Sequence, residues 1–232
     1  LSAWITASAE AVSRYYGAFP VKHLHVMLNS APGRDISGTS YAGLEPVLII
    51  TLGEAASEDD LQSDWVMVHE MVHLAFPPVP RRHHWIEEGL ATYIEPLARA
   101  EAGLLSVDKV WLWFVNGLPN GLPQPGDRGL DHTPTWGRTY WGGALFCLLA
   151  DLEIRQRTDN RFALRDALRA IVTAGGTLAT SELWPLARVL AIGDEAVGVP
   201  VLSEQYERMK AAPVAVDLDD LWRRLGVTAA NQ

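Results

Sequence analysis

The chain has 232 residues, enough to bury a sizeable core in one domain or in one domain of two lobes. Hydrophobic residues make up 48% and charged residues 20%, a balance that excludes a disordered polar polymer. Nineteen basic against twenty-eight acidic side chains leave a net charge of −9. No Lys/Arg run exceeds pairs such as Arg81-Arg82 and Arg223-Arg224, so neither nucleic acid nor an anionic membrane surface is expected as a partner.

No apolar stretch approaches the roughly 18 residues that cross a bilayer. The longest, "GGALFCLLA" at 142–150, reads as a buried helix and carries the only cysteine, Cys147, expected to be an inert buried thiol. With one cysteine no intramolecular disulfide can form. The chain begins at Leu1 instead of Met, which reads as a processed or trimmed form and favours a secreted or periplasmic location.

In chain order, residues 3–16 space Trp4, Ile5, Ala11, Val12 and Tyr15 along one helical face, with Gly17 as the stop. Residues 21–29, "VKHLHVMLN", alternate and read as a strand. Residues 31–43 are rich in Gly, Pro and Ser and read as a loop or hairpin. "PVLIITLG" at 46–53 is a β-branched run expected as a strand near the sheet edge, because Pro46 begins it. A helix is expected from Ser57 or Asp59 until Pro77-Pro78 stops it, then further helices over 84–101, 106–116, 137–157, 160–173, 181–191, 202–211 and 217–225. Residues 117–135 are the longest loop and a candidate rim over a cleft. The fold class is therefore α+β, mostly helical. It divides into a small sheet-bearing lobe over 1–76 and a helical lobe over 77–232 of a single domain.

The helix expected over 57–76 carries "WVMVHEMVHLAF" (65–76). Four residues advance a helix by slightly more than one turn, so His69 and His73 leave from the same face. Their imidazole nitrogens can then reach one tetrahedral metal about 2 Å away. Glu70 is turned roughly 100° further round, where it can touch a water at the metal without displacing it. Two ligands and an adjacent general base are what HExxH chemistry requires. The competing reading is an amphipathic helix whose two histidines belong to a core with Val66, Val72 and Leu74.

Catalytic zinc usually takes a third protein ligand. "HHWIEEGLATYIE" (83–95) reads as a second helix with two acidic candidates, Glu87 and Glu88. Its W-x-x-E-G-x-A-x-Y pattern following HExxH resembles the glutamate-zincins (gluzincins), the aminopeptidase-N and glycyl-aminopeptidase kind. That resemblance implies a thermolysin-like zinc peptidase core, one Zn²⁺ per chain, and Glu88, directly before Gly89, as the third ligand. The connector from His73 to Glu88 is shorter than the family's usual one. Gly89 is expected to let the two helices pack closely, bringing a short carboxylate stem to the metal. Thr92, at i+4 from Glu88, and Glu95, one turn on, are candidates to hydrogen-bond the ligand imidazoles. Glu87 reads as a solvated helix residue.

"RTYWGGALFCLLADLE" (138–153) resembles the family's Y-x-x-G-A helix, with Gly142 where a lysine is usual. The resemblance implies Tyr140 as the donor that stabilises an oxyanion. A phenol suits this role because it donates strongly yet stays neutral, its ordinary pKa being about 10. His132 is the competitor, while His83 and His84 read as turn residues.

"YAGLEPVLII" (41–50) resembles the glutamate-bearing substrate strand of the aminopeptidases, making Glu45 a candidate to recognise a peptide amino end, with Glu87 a second. The expected activity is hydrolysis of peptide bonds in a peptide or protein substrate, with aminopeptidase and endopeptidase both open. The alternatives are a zinc-containing scaffold that binds peptide or protein without cleaving it, and a helical protein without metal.

Overall fold

The computed structural model describes residues 1–228. Helix α1 (Ser2–Tyr16) buries Ala11, Val12 and Tyr15 and ends at Gly17, whose φ of 87° favours a residue without a Cβ. A three-stranded sheet follows, of strands β1 (His25–Ala31), β2 (Ile36–Tyr41) and β3 (Val47–Gly53) in the spatial order β1-β3-β2. Strand β1 runs parallel to β3 from His25↔Val47 to Ala31↔Gly53, and β2 runs antiparallel from Ile36↔Leu52 to Tyr41↔Val47.

Strand β3 is thus central, which corrects the edge position expected from Pro46. The proline precedes the first ladder residue, so its missing N–H costs nothing, and its carbonyl accepts from His25 N–H at 3.0 Å. Leu48 and Ile50 on β3 are fully buried. Strand β2 arises within the segment read as a loop or hairpin. Its short polar side chains give little strand signal, and it forms because β3 offers a partner.

The helix expected over 57–76 is two helices, α2 (Glu58–Ser63) and α3 (Val66–His73). Ser57 and Asp60 form a capping box on α2. Asp64 then leaves the helical region and its carboxylate accepts from the N–H groups of Val66 at 2.9 Å and Met67 at 3.0 Å. An aspartate competes with the helical backbone for hydrogen bonds, so here it ends one helix and starts the next. The break sits five residues before His69 and sets the direction of the motif helix.

Helices α4 (His84–Glu101), α5 (Val107–Gly117) and α6 (Gly143–Arg157) build the second lobe. Residues Gly137–Gly142, read as the start of a regular helix, are π-wound and lead into α6. A Cβ on Gly143 would lie 2.1 Å from the Trp85 carbonyl oxygen, so α6 abuts α4 at Gly89. This corrects the role expected of Gly89: its close contact is with α6, not with the motif helix. Segment 117–135 folds under the π turn and does not rim the cleft. Trp141 covers Gly117, and buried Arg138 places Nε 2.7 Å from Asp127 Oδ2, an ion contact off linear hydrogen-bond geometry, while Nη1 donates to Gly121 O at 2.5 Å.

Helices α7 (Leu164–Thr173), α8 (Leu186–Val197), α9 (Val201–Met209) and α10 (Leu218–Leu225) complete the lobe. Helix α7 starts later than residue 160 because Asp159 and Asn160 hold positive φ, and α8 starts after Pro185 instead of at 181. One buried cluster runs from Ala11 through Met67, Ile94 and Phe146 to Leu221, across both lobes. No helix of the described residues is long and apolar enough to cross a membrane.

Candidate metal centre

Helix α3 presents His69 and His73 to the face of α4 that carries Glu88. Glu88 Oε2 lies 3.2 Å from His69 Nε2 and 3.6 Å from His73 Nε2. Tetrahedral zinc with bonds of ~2.05 Å separates its donor atoms by ~3.3 Å, so each of the two contacts made by Glu88 Oε2 is close to the spacing within one coordination sphere. One nitrogen from each histidine and one Glu70 oxygen also fall within 4.8 Å of one another. Glu70 is the candidate base, and Glu88 the carboxylate that reaches both rings.

Burial drives the His73 imidazole down to about 4, helped by neighbouring His69, so it is neutral and has a lone pair for a metal. Burial pushes Glu88 up, but the His69 hydrogen bond and the surrounding imidazoles outweigh it and hold the carboxyl below its ordinary range. Two imidazoles and an ionised carboxylate are a donor set suited to zinc. Glu70 is raised, first by burial and then by the Glu88 charge, with His69 and hydrogen bonds from Ser40 opposing. A raised carboxylate is a stronger base than an ordinary one, which suits Glu70 to accept a proton.

Strand β2 closes the site from above. A Cβ at Gly38 would lie 2.5 Å from Glu70 Cγ, so the strand can approach Glu70 only because that residue is glycine. Tyr140 comes from the π turn, its ring stacked on His69 at 6.3 Å between centroids. Burial and the charges of Glu88 and Glu70 raise the phenol to about 12, so it remains a donor across the working range. Trp65, one turn before His69, meets that ring edge-on at 5.3 Å.

These groups line a cleft of ≈ 630 Å³ with Leu178 on its far wall. The far wall is fixed by two backbone bonds, Leu178 N–H to Leu74 O at 3.0 Å and Gly43 N–H to Leu178 O at 3.2 Å. A larger cavity of ≈ 740 Å³ beneath α1 is lined by Trp4, Val68 and Arg99 but brings no histidines together.

The structure gathers His69, Glu70, His73, Glu87, Glu88 and Tyr140 around this cleft. It does not bring Glu45 there. That carboxylate is exposed at the turn into β3 and bonds His25 Nε2 at 2.8 Å, because β1 lies on the side of β3 away from the cleft. Glu87 is not free in solvent: its Oε2 faces His84 Nδ1 at 3.1 Å and its Oε1 accepts from Val79 N–H at 3.4 Å. Thr92 is buried on α4. Glu95, expected to reach an imidazole, accepts instead from Arg99 Nη1 at 2.9 Å, since a buried carboxylate is stabilised best by a cation.

His132 is exposed and does not line the cleft. His83 is a buried turn residue whose Nδ1 faces Asp131 at 2.9 Å; the same carboxylate accepts from Trp85 Nε1 and Tyr206 O–H, each at 2.8 Å. The sequence reading missed Gly38, Ser40, Trp65, Leu178 and His84 at the site. Only His84 carried a local signal, standing three and four residues before two glutamates on one helix.

No family model and no curated protein matches this sequence. Solved structures do. An aminopeptidase N family protein from Idiomarina loihiensis superposes with a TM-score of 0.71 at 14% identity, over 97% of this chain and 44% of that one. An M1 zinc metallopeptidase from Deinococcus radiodurans gives a TM-score of 0.59 at 17% identity, over 94% and 46%. A mutant of the latter, described as bound to a Tyr-Ser-Ala substrate, gives 0.57 at 18% identity, over 91% and 44%. The chain spans under half the length of these proteins, and the likeness establishes that it has the fold of part of an M1 zinc metallopeptidase.

Proposed function

We propose that the chain is a zinc-dependent peptidase, a gluzincin with a thermolysin-like core, whose residues 1–232 act as one catalytic domain. His69, His73 and Glu88 hold one Zn²⁺. When bound, the ion supplies a Lewis acid that brings the pKa of its water toward about 7. Glu70 takes the proton of the attacking water and returns it to the leaving amine. Tyr140 donates its O–H to the oxygen on which charge develops. The substrate is an extended peptide that pairs with the outer edge of β2, which has β3 on its other side only.

The observation that carries this reading is the reach of one Glu88 oxygen to both imidazoles, at 3.2 and 3.6 Å, with Glu70 buried beside them. The neighbours' description as zinc metallopeptidases supports it. A mixed peptide library incubated with the zinc-loaded protein, with products read by mass spectrometry, tests it. Cleavage that stops on addition of a chelator is expected, and the products distinguish removal of terminal residues from internal cutting. Retained zinc with no cleavage of any peptide would replace catalysis by binding.

A further inference from the structure

The carboxylate of Glu88 has two oxygens, and only one faces the imidazoles. The other, Oε1, lies 3.3 Å from His84 Nε2. His84 is the first residue of α4, so Glu87 and Glu88 stand at i+3 and i+4 on its own face. The far nitrogen of the same ring, Nδ1, lies 3.1 Å from Glu87 Oε2, and Glu87 Oε1 is tied to the connector through Val79 N–H at 3.4 Å. A continuous path therefore runs from the connector backbone through Glu87 and His84 to the back of Glu88.

Unanchored, a carboxylate at the end of three rotatable bonds samples many orientations and can present either oxygen, or both. Held at Oε1, Glu88 has Oε2 fixed toward His69 and His73 before any metal arrives. We propose that His84 is a positioning residue for the metal-binding carboxylate, clamping Oε1 of Glu88, and that Glu87 orients the His84 ring for that task. The proposal rests on the zinc reading above and gives Glu87 a function within the site.

Outer partners of metal ligands typically account for about 10–100-fold in metal affinity. The His84 side chain is 52% exposed, so its removal leaves the core intact. The test is zinc affinity of the full chain, measured by competition with a chromophoric chelator, for the wild type, His84→Ala, His84→Gln and Glu87→Ala. We expect His84→Ala to weaken zinc by about 10–100-fold. His84→Gln, which keeps an N–H at similar reach, recovers part of that loss, and Glu87→Ala weakens zinc less than His84→Ala. Cobalt(II) in place of zinc supplies a second readout. A positioning role leaves the intensity of its visible d–d bands unchanged in His84→Ala, because the ligand count is unchanged.

Zinc affinity of both His84→Ala and Glu87→Ala within twofold of wild type would overturn the proposal. So would a large change in the cobalt bands, which would make His84 a ligand itself. Failure of the wild type to bind zinc at all is a different outcome: it removes the metal reading and the clamp with it.

Discussion

Gly89 and Gly143 meet backbone to backbone: a Cβ on Gly89 would stand 2.3 Å from the carbonyl carbon of Gly143. The contact sets the distance between α4, which carries Glu88, and the π turn that carries Tyr140. The placement of Glu88 relative to Tyr140 thus depends on one pair of residues without side chains. Gly89→Ala should cost about 1–3 kcal/mol of unfolding free energy, since the methyl has only backbone to push against. Chemical denaturation measures this. We expect peptidase activity to fall further than zinc binding, because Tyr140 is displaced while the histidines on α3 are not.

Glu70→Gln should keep zinc and lose hydrolysis. The amide retains the shape and most contacts of the carboxylate but cannot accept a proton, so a loss on the order of 10²–10⁴-fold in kcat is expected. Metal analysis beside the peptide assay checks both halves. Near-full activity in that variant would remove Glu70 as the base.

Tyr140→Phe should lower kcat by about 10²–10³-fold with little change in KM, the pattern for a donor used only as charge develops. The phenol is raised to about 12. It remains protonated at every pH below that value, so no alkaline loss of activity between about pH 7 and 10 should trace to its ionisation. Comparing the pH profiles of wild type and Tyr140→Phe tests this directly.

Gly38→Ala should separate β2 from Glu70, because the new methyl would meet Glu70 Cγ at 2.5 Å. That displacement would also carry Ser40 away from the Glu70 carboxylate. The variant should lower kcat while metal content stays at wild-type level, since neither α3 nor Glu88 is displaced by an edge strand.

Glu95 supplies a pH test away from the chemistry. Burial raises its carboxyl from 4.5 to about 7, with the Arg99 charge opposing. A group that binds its proton more tightly in the folded state stabilises the fold most below its unfolded pKa, and that contribution is lost as pH rises through the folded value. Between about pH 4.5 and 7 the wild type should therefore lose stability relative to Glu95→Gln, by about 2–3 kcal/mol. Denaturation midpoints of the two proteins at pH 5 and pH 7 give the comparison.

The parts of the site that lie on one helix were legible in the sequence, because helical spacing alone puts His69 and His73 on one face and Glu70 beside them. Glu88 and Tyr140 required a resemblance to suggest them, since their approach depends on Gly89, Gly143 and a π turn with no periodic signal. Strand β2 was hidden for a different reason. Its residues, Ile-Ser-Gly-Thr-Ser-Tyr, alternate in burial, but the half-buried face carries Gly38 and Ser40 instead of apolar side chains, so the alternation leaves no hydropathy signal. Glu45 rests on the resemblance of residues 41–50 to a substrate strand, whereas the strand lining the cleft is β2 and Glu45 stands at the turn into β3 beside His25. Asp64 broke the expected long helix because a capping carboxylate inside a helical pattern reads as an ordinary polar residue.

Diffraction from crystals grown with zinc, recorded on both sides of the zinc absorption edge, tests the central claim most directly. The account predicts one anomalous peak per chain, bonded to His69 Nε2, His73 Nε2 and Glu88 Oε2, with Glu70 left outside the coordination sphere. A peak bonded to Glu70 with Glu88 turned away, or no peak between the two helices, would contradict it.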